Sequence, residues 1–365
     1  MQNFTLTETK PGKRPIMTSR QRVMTALSHQ TPDRVPFSLG FGINEPALLD
    51  LQRYMGHETS RQTYNWLYSF VDLRWVYPDY IGPSSRNANN TDIWGIEREP
   101  VSYGVGSYLE IRRHPLAEAE KISDLDDYVF PSADWFRYDN IKDKIKAVNQ
   151  GGEYAIVAGV ANVFETAWYM IGLERMLYGL LAEPEFCSEL MRRITDFNIA
   201  YYTNILESAD GLIDIVFPCD DVGQQQGPLM SPAIWEEMIK PHHARQIKAF
   251  KQFGVKVMYH SDGAVIDFIP GLLDMGIDVL EALQFDAKGM DPVVMKEKYG
   301  DRLCFHGGVS VQTTLPFGTP EEVRMETRER IRVLGENGGY ILAPSHMIQA
   351  GTPPENILAM LEEIK

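Results

Sequence analysis

The sequence predicts an α/β protein, a (β/α)8 TIM barrel, and three observations carry that prediction. From about residue 150 short apolar runs alternate with helical stretches, nearly all the runs are apolar on both alternating faces, and polar side chains stand at their C-terminal ends. Strand and helix in alternation mean a parallel sheet covered by helices. Strands apolar on both faces are strands buried on two sides. An open doubly wound sheet gathers its ligands at a switch point, whereas a barrel recruits from every strand end. No GxGxxG or Walker loop follows any run, which removes the nucleotide fingerprints of the open sheet.

Each element follows in order. The first 16 residues are polar, contain Pro11 and Pro15, and lack the apolar stretch of a secretory signal; residues 1–17 read as a flexible arm before a domain spanning 18–365. Thr18 or Ser19 can cap a helix over SRQRVMTALSHQ, where Val23, Met24 and Leu27 fall at helical spacing. Thr31-Pro32-Asp33 breaks it, and VPFSLGF reads as a strand. Residues 43–150 are less regular, with NWLYSFVDLRWVYPDYIGP and the turn-prone PSSRNANNTD, and read as early barrel units carrying a long insertion. Strands are then expected at 154–160, 212–218, 255–260, 277–283, 303–308 and 339–346. Gly211, Gly254, Gly276 and Gly339 precede several of them, each able to end the previous helix in a left-handed residue. A single long helical stretch is expected over ERMLYGLLAEPEFCSELMRRITDFNIAYYTNILE.

A formal charge of −15 and a pI near 5.0 argue against a nucleic-acid partner and against an anionic membrane surface. Cys187, Cys219 and Cys304 show no CxxC spacing, so no disulfide framework is expected and a reducing, cytoplasmic setting fits. No apolar run is long enough to span a bilayer. A homodimer is compatible with all of this.

The chemistry-bearing residues cluster at strand ends. His260 and Asp262 sit two apart, so both can face one site, as nitrogen and oxygen donors to a divalent metal or as an acid/base pair. The plain alternative is a histidine hydrogen-bonded at a strand end. His346 ends another strand and can complete a three-donor site with an open position, as catalytic zinc requires. His306 precedes Gly307-Gly308, where a packing role competes with a catalytic one. Cys219-Asp220-Asp221 brings two adjacent carboxylates near the mouth, either as functional groups or as loop caps. Gln224, Gln225 and Gln226 offer hydrogen bonds to a polar small-molecule substrate or form a solvated loop, and Gln284 ends a further strand. Glu281 lies within a strand, where a carboxylate needs a partner. His242-His243 reads as a surface pair in a helix.

The segments SRQRVMTALSHQTPDRVPF, DDVGQQQGPLMSPAIWEEMIKP, HSDGAV, GMDP, KYGDRL, GGYILAPSH and TPPENI together resemble the uroporphyrinogen decarboxylase superfamily from about Thr18 to Lys365. The resemblance implies a TIM barrel. Decarboxylating members carry an arginine-rich RPxWxMRQAGR segment; here DRVPFSLGFGINEP has no arginine after Arg34. Tyr169, in GVANVFETAWYM, resembles the tyrosine of GAPFTLxxYM, His346 resembles the histidine before the late TP pair, and Cys219 stands at a serine position. The other branch holds cobamide-dependent methyltransferases, whose thiol-alkylating members bind zinc through HxC…C. Against that pattern Asp262 and His346 replace both cysteines. Oxygen and nitrogen in place of sulfur leave a metal more positive and a stronger Lewis acid.

The resemblance therefore implies a corrinoid-dependent methyltransferase acting on an O- or N-methylated small molecule, with a divalent metal such as zinc and a cobamide supplied by a partner corrinoid protein. Under it His260, Asp262, His346 and Glu281 are the expected metal ligands. Asp221, Tyr169 and His306 are the expected catalytic groups, and Asp220, Cys219, Gln284 and Gln224 the expected substrate contacts. The alternatives are a metal-independent decarboxylase or lyase of a small aromatic or pyrrolic acid, anchored by Arg74, Arg86 or Arg302, and a non-catalytic binding protein.

Overall fold

A computed structural model describes residues 16–364, apart from 89, 105, 151 and 152. The arm expected over 1–17 lies outside the described residues as far as residue 15. Parallel strands β1 Leu73–Val76, β2 Ala155–Asn162, β3 Ile215–Cys219, β4 Lys256–His260, β5 Val279–Glu281, β6 Cys304–Val309 and β7 Tyr340–Pro344 form a curled sheet in that order. The segment around Phe37 occupies the eighth position. Phe37 bridges Leu342 in parallel, Ser38 N donates to Leu342 O at 2.9 Å, and Asp72 N donates to Phe37 O at 2.8 Å. The ring thus closes between β7 and β1 through VPFSLGF, as a short bridge rather than a full strand. This is the (β/α)8 fold.

The strands are buried nearly throughout because their β-branched and apolar side chains pack inward on one face and against helices on the other. At the N-terminal end of the barrel one device recurs. Asp72, Asp214 and Asp278 stand immediately before β1, β3 and β5, and each accepts a backbone N–H from the preceding neighbour: Phe37 N at 2.8 Å, Ile156 N at 2.9 Å and Val257 N at 2.8 Å. Each also has cationic partners. Asp72 takes Arg22 at 2.7 Å and Arg34 at 2.9 Å, Asp214 takes Arg20 at 2.8 Å, and Asp278 takes Lys251 and Lys256.

The long helical stretch divides into Leu173–Ala182 and Pro184–Ala209, contrary to the single helix expected. Pro184 forces the break, because its ring pushes Glu183 out of the helical region, to φ −134°. Within 43–150 lie helices Glu45–Met55 and Ser60–Tyr68, strand β1, and an antiparallel hairpin of Glu97–Ser102 and Ser107–Arg113. That hairpin leans on the barrel mouth, with the Arg98 guanidinium 5.3 Å from the Tyr169 ring centroid. Among the described residues no helix is long and apolar enough to cross a membrane.

Candidate active site

At the C-terminal ends of the strands the charge pattern reverses. Asn162 closes β2, Cys219 closes β3 ahead of Asp220-Asp221, His260 closes β4, and Glu281 closes β5. Among the described residues no Lys or Arg pairs with Glu165, Asp220, Asp221, Asp262 or Glu281, and the last four pair with imidazoles.

The centre of the site is His260. Its Nδ1 contacts Glu281 Oε2, while Nε2 points toward Asp221 Oδ1 at 3.4 Å and Asp262 Oδ1 at 4.0 Å. Donor atoms of Asp221, His260 and Asp262 all lie within 4.8 Å of one another, a span one metal ion can bridge. His346 Nε2 stands 3.9 Å from the other oxygen of Asp262. Asp262 Oδ1 is buried without a hydrogen-bond partner among the described residues, as a donor awaiting a cation would be. The residues expected as ligands from β4 and from the loop after β7 therefore come together, with Asp221 added.

Glu281 takes a different place from the one expected. It is fully buried and bound to the inner nitrogen of His260, so it aims the ring rather than joining the donor cluster. Burial opposes its ionisation, yet His260 and His306 hold its pKa down to about 2. In return the Glu281 and Asp221 carboxylates outweigh the penalty of burial and raise the His260 pKa well above the usual imidazole range. Burial also works against Asp221, but the His260 hydrogen bond and charge lower its pKa. For Asp262 burial pushes the pKa up to about 7, with His260 pulling down and Asp221 and Glu281 pushing up. His346 is lowered by burial and by repulsion from His260.

The loops are locked to each other. Asp262 N donates to Asp221 Oδ1 at 2.7 Å, Val222 N donates to Ser261 Oγ at 3.0 Å, and Gly263 N donates to Gln284 Oε1 at 2.9 Å. Gly263 has φ +80°, and a Cβ there would sit 2.5 Å from Gln224 N, so only glycine allows the two loops to approach. Gln284, expected to contact substrate, is buried and spends its side-chain oxygen on this loop. The Gln224 side chain is exposed.

Asp220 and Asp221 diverge, as adjacent residues at a strand end must. Asp220 was expected to touch substrate. It is instead wholly buried behind the sheet, accepting from Val163 N at 3.0 Å, Phe164 N at 2.8 Å and Glu165 N at 2.7 Å, with His243 Nε2 at 2.5 Å. It caps helix Phe164–Ile171, where a carboxylate meets the positive end of the helix dipole. The His242-His243 pair is correspondingly buried, not on the surface. Cys219 is buried too, and burial with four nearby carboxylates keeps it a thiol. His306 is buried with Nδ1 3.6 Å from Glu281 Oε1.

Glu165 escaped sequence reading. Its carboxyl accepts from Tyr169 Oη at 2.7 Å and from Asn162 Nδ2. Burial first, then Asp221 and Asp220, push its pKa up to about 8, and the Tyr169 phenol is raised by burial and by Glu165. The available signal was spacing, since Glu165 and Tyr169 lie four apart at the start of a helix that follows a strand end. Beyond the donor cluster, Phe41 stacks on His346 with centroids 4.8 Å apart and meets His260 edge-on at 4.8 Å. Phe41 also lines a cavity of about 830 Å³ with Trp75, Tyr68, Tyr77 and Arg74.

Known proteins place this architecture. The chain is 27% identical over 215 residues to a methylated-thiol–coenzyme M methyltransferase of Methanosarcina mazei, covering 59% of this chain and 54% of that protein. It is 26% identical over 197 residues to a uroporphyrinogen decarboxylase of Geotalea daltonii, covering 52% and 51%. The match spans about half the length of these curated relatives. A solved methyltransferase from Methanosarcina mazei has the same fold, with a TM-score of 0.66 and 19% identity over 95% of this chain and 98% of that one. The uroporphyrinogen decarboxylase (URO-D) family profile matches residues 100–365, and the chain belongs to that family.

Proposed function

We propose that the protein is a methyltransferase that moves a methyl group from an O- or N-methylated small molecule to a cobamide carried by a partner corrinoid protein. The observation that carries the reading is the convergence of Asp221, His260 and Asp262, with His346 beside them, where no lysine or arginine among the described residues pairs with the carboxylates. Likeness to methyltransferases in sequence and fold supports it.

Asp221, His260, Asp262 and His346 would hold a divalent metal, and their hard nitrogen and oxygen donors suit zinc as well as a harder ion. When bound, such a metal supplies Lewis-acid polarisation of the heteroatom that bears the methyl group. The chain does the rest. Glu281 fixes the ring of His260 through Nδ1, so that Nε2 is the nitrogen that would be offered to the ion. Asp221, held ionised by His260, would serve as a donor to the cation rather than as an acid. The proton for the departing heteroatom falls to the Glu165 carboxyl, which burial keeps protonated and which accepts the Tyr169 hydroxyl at 2.7 Å. His306, backing Glu281, is a positioning residue in this scheme.

A second reading, a carboxy-lyase, draws on Arg74 in the cavity wall. Arg86 is tied to Tyr128 at 2.9 Å and Arg302 lies exposed beside Asp301, so neither serves as the anchor. The readings separate on metal content and methyl transfer. Purified protein incubated with zinc and desalted should retain about one ion per chain. Asp262→Ala and His346→Ala should lose it, and methylation of added cob(I)alamin should require it. Zinc-free protein, or variants that retain zinc as wild type does, would remove the methyltransferase mechanism.

A further inference from the structure

We infer that Phe41 is a specificity-determining residue: its ring is the partition between the 830 Å³ cavity and the donor cluster, and it restricts the cation site to ligands slim enough to enter from the open mouth. The inference rests on the reading that a divalent metal binds at the cluster, and adds what limits access to it.

Among the residues that line the cavity none is Asp221, His260, Asp262 or His346. Phe41 belongs to both surroundings. It lines the cavity, stacks on His346 with centroids 4.8 Å apart and planes at 24°, and meets His260 edge-on at 4.8 Å. Elsewhere the wall is two rings thick. Trp75 lines the cavity and meets Phe217 edge-on at 5.2 Å, while Phe217, which does not line it, stands 6.0 Å from His260. Among the described residues the wall thins to one ring only at Phe41. Stacking covers the face of the His346 imidazole and not the edge that carries its nitrogens, so the partition takes no donor from the cluster.

The chain holds this ring in place from both sides. Ser38 N donates to Leu342 O at 2.9 Å ahead of it, and behind it Asn44 N donates to Ile348 O and Ile348 N to Gly42 O, both at 2.9 Å. Gly40 and Gly42 have φ of +58° and +90°, and a Cβ on Gly40 would lie 3.2 Å from Pro344 O, so glycine lets the turn press against the end of β7. Access therefore comes from the other direction. The side chains of Asp221, Asp262 and His346 keep 34%, 27% and 34% of their exposure, whereas that of His260 keeps 5%. The cluster is open at the mouth and closed by Phe41 toward a cavity large enough for a small molecule.

The test loads the intact protein with cobalt(II), which takes the same nitrogen and oxygen donors as zinc, and follows its visible absorption during titration with imidazole and with 4-phenylimidazole. The two probes share a metal-binding ring and differ in bulk. Phe41→Ala should shift their affinity ratio at least about tenfold toward 4-phenylimidazole, because its phenyl group gains the cavity. Phe41→Val, which removes the ring but keeps more of the packing, should shift it the same way by less. Adding Val160→Trp to Phe41→Ala should return the ratio toward wild type, since Val160 is 44% exposed on the cavity wall and a larger ring there fills the space. A ratio unchanged in both Phe41 variants, or a gain indifferent to Val160→Trp, overturns the inference. So does loss of cobalt from both variants with the fold retained, which would make Phe41 a support for His346 alone. Wild-type protein that takes up no cobalt overturns both this inference and the metal reading, whereas cobalt uptake with an unchanged ratio removes only the partition. The expected shift in a protein that transfers no methyl group would keep the partition and defeat the methyltransferase reading.

Discussion

The two ends of the barrel carry similar carboxylates in opposite company. At the N-terminal end Asp72, Asp214 and Asp278 each accept a strand N–H and face an arginine or lysine. At the C-terminal end Glu165, Asp221, Asp262 and Glu281 crowd together, and among the described residues the last three pair with imidazoles and with no lysine or arginine. The first arrangement satisfies every charge and ties strand to strand. The second leaves negative charge in excess, with pKa values driven apart, from about 2 at Glu281 to about 8 at Glu165. One end is built to hold the sheet closed and the other to receive something positive.

The comparison breaks most sharply at Asp72. Its side chain is 1% exposed, and Asp72→Ala would take one carboxylate from both Arg22, which keeps Asp33, and Arg34, and release Phe37 N at the seam of the barrel. Loss of a buried partner of this kind is expected to cost about 3–5 kcal/mol in urea unfolding. A loss below about 1 kcal/mol would mean that the seam does not depend on it.

Glu165→Gln tests the other end, and the sign is opposite. The folded protein holds a proton on Glu165 up to a pKa of about 8, whereas the unfolded chain releases it near 4.5. Between those values the native state binds more protons, so this group makes stability fall as pH rises. Glu165→Gln should flatten that fall and gain on the order of 1 kcal/mol near neutral pH, while slowing methyl transfer by about 100-fold or more as a lost proton donor. A variant with wild-type slope would deny the carboxyl its proton.

Asp33 sharpens the contrast by a smaller amount. Arg22 and backbone donors hold its pKa at about 2 against the penalty of burial, below the usual 3.8. Its contribution is present above 3.8 and lost as pH falls toward 2, so Asp33→Asn should lower stability by about 1 kcal/mol at pH 6 and by less at pH 2.5.

Much of this was legible in the sequence where one residue type and one position decide the matter. The strand rhythm after residue 150 specified the barrel, and His260, Asp262 and His346 stood out as polar residues at buried strand ends. Glu165 did not, because on a helix after β2 it looks like any N-terminal acidic residue; only the fold brings it against Asp221. Asp220 and Asp221 read as a pair, although adjacent side chains at a strand end point opposite ways and only one reaches the mouth. Glu281 was assigned to the cation directly, since nothing in the order of residues says whether a carboxylate touches a metal or steers the histidine that does. The cavity was out of reach for the same reason, assembled from residues near 41, 68, 75 and 154 that meet only when the barrel closes.

The central claim is that the crowded end holds a cation through oxygen and nitrogen alone, and X-ray absorption at the zinc edge of the reconstituted protein reads that donor set directly. Light-atom neighbours are expected at about 2.0–2.1 Å with the multiple-scattering signature of imidazole. A sulfur shell near 2.3 Å would contradict it, because none of Cys187, Cys219 and Cys304 belongs to the donor group of Asp221, His260 and Asp262.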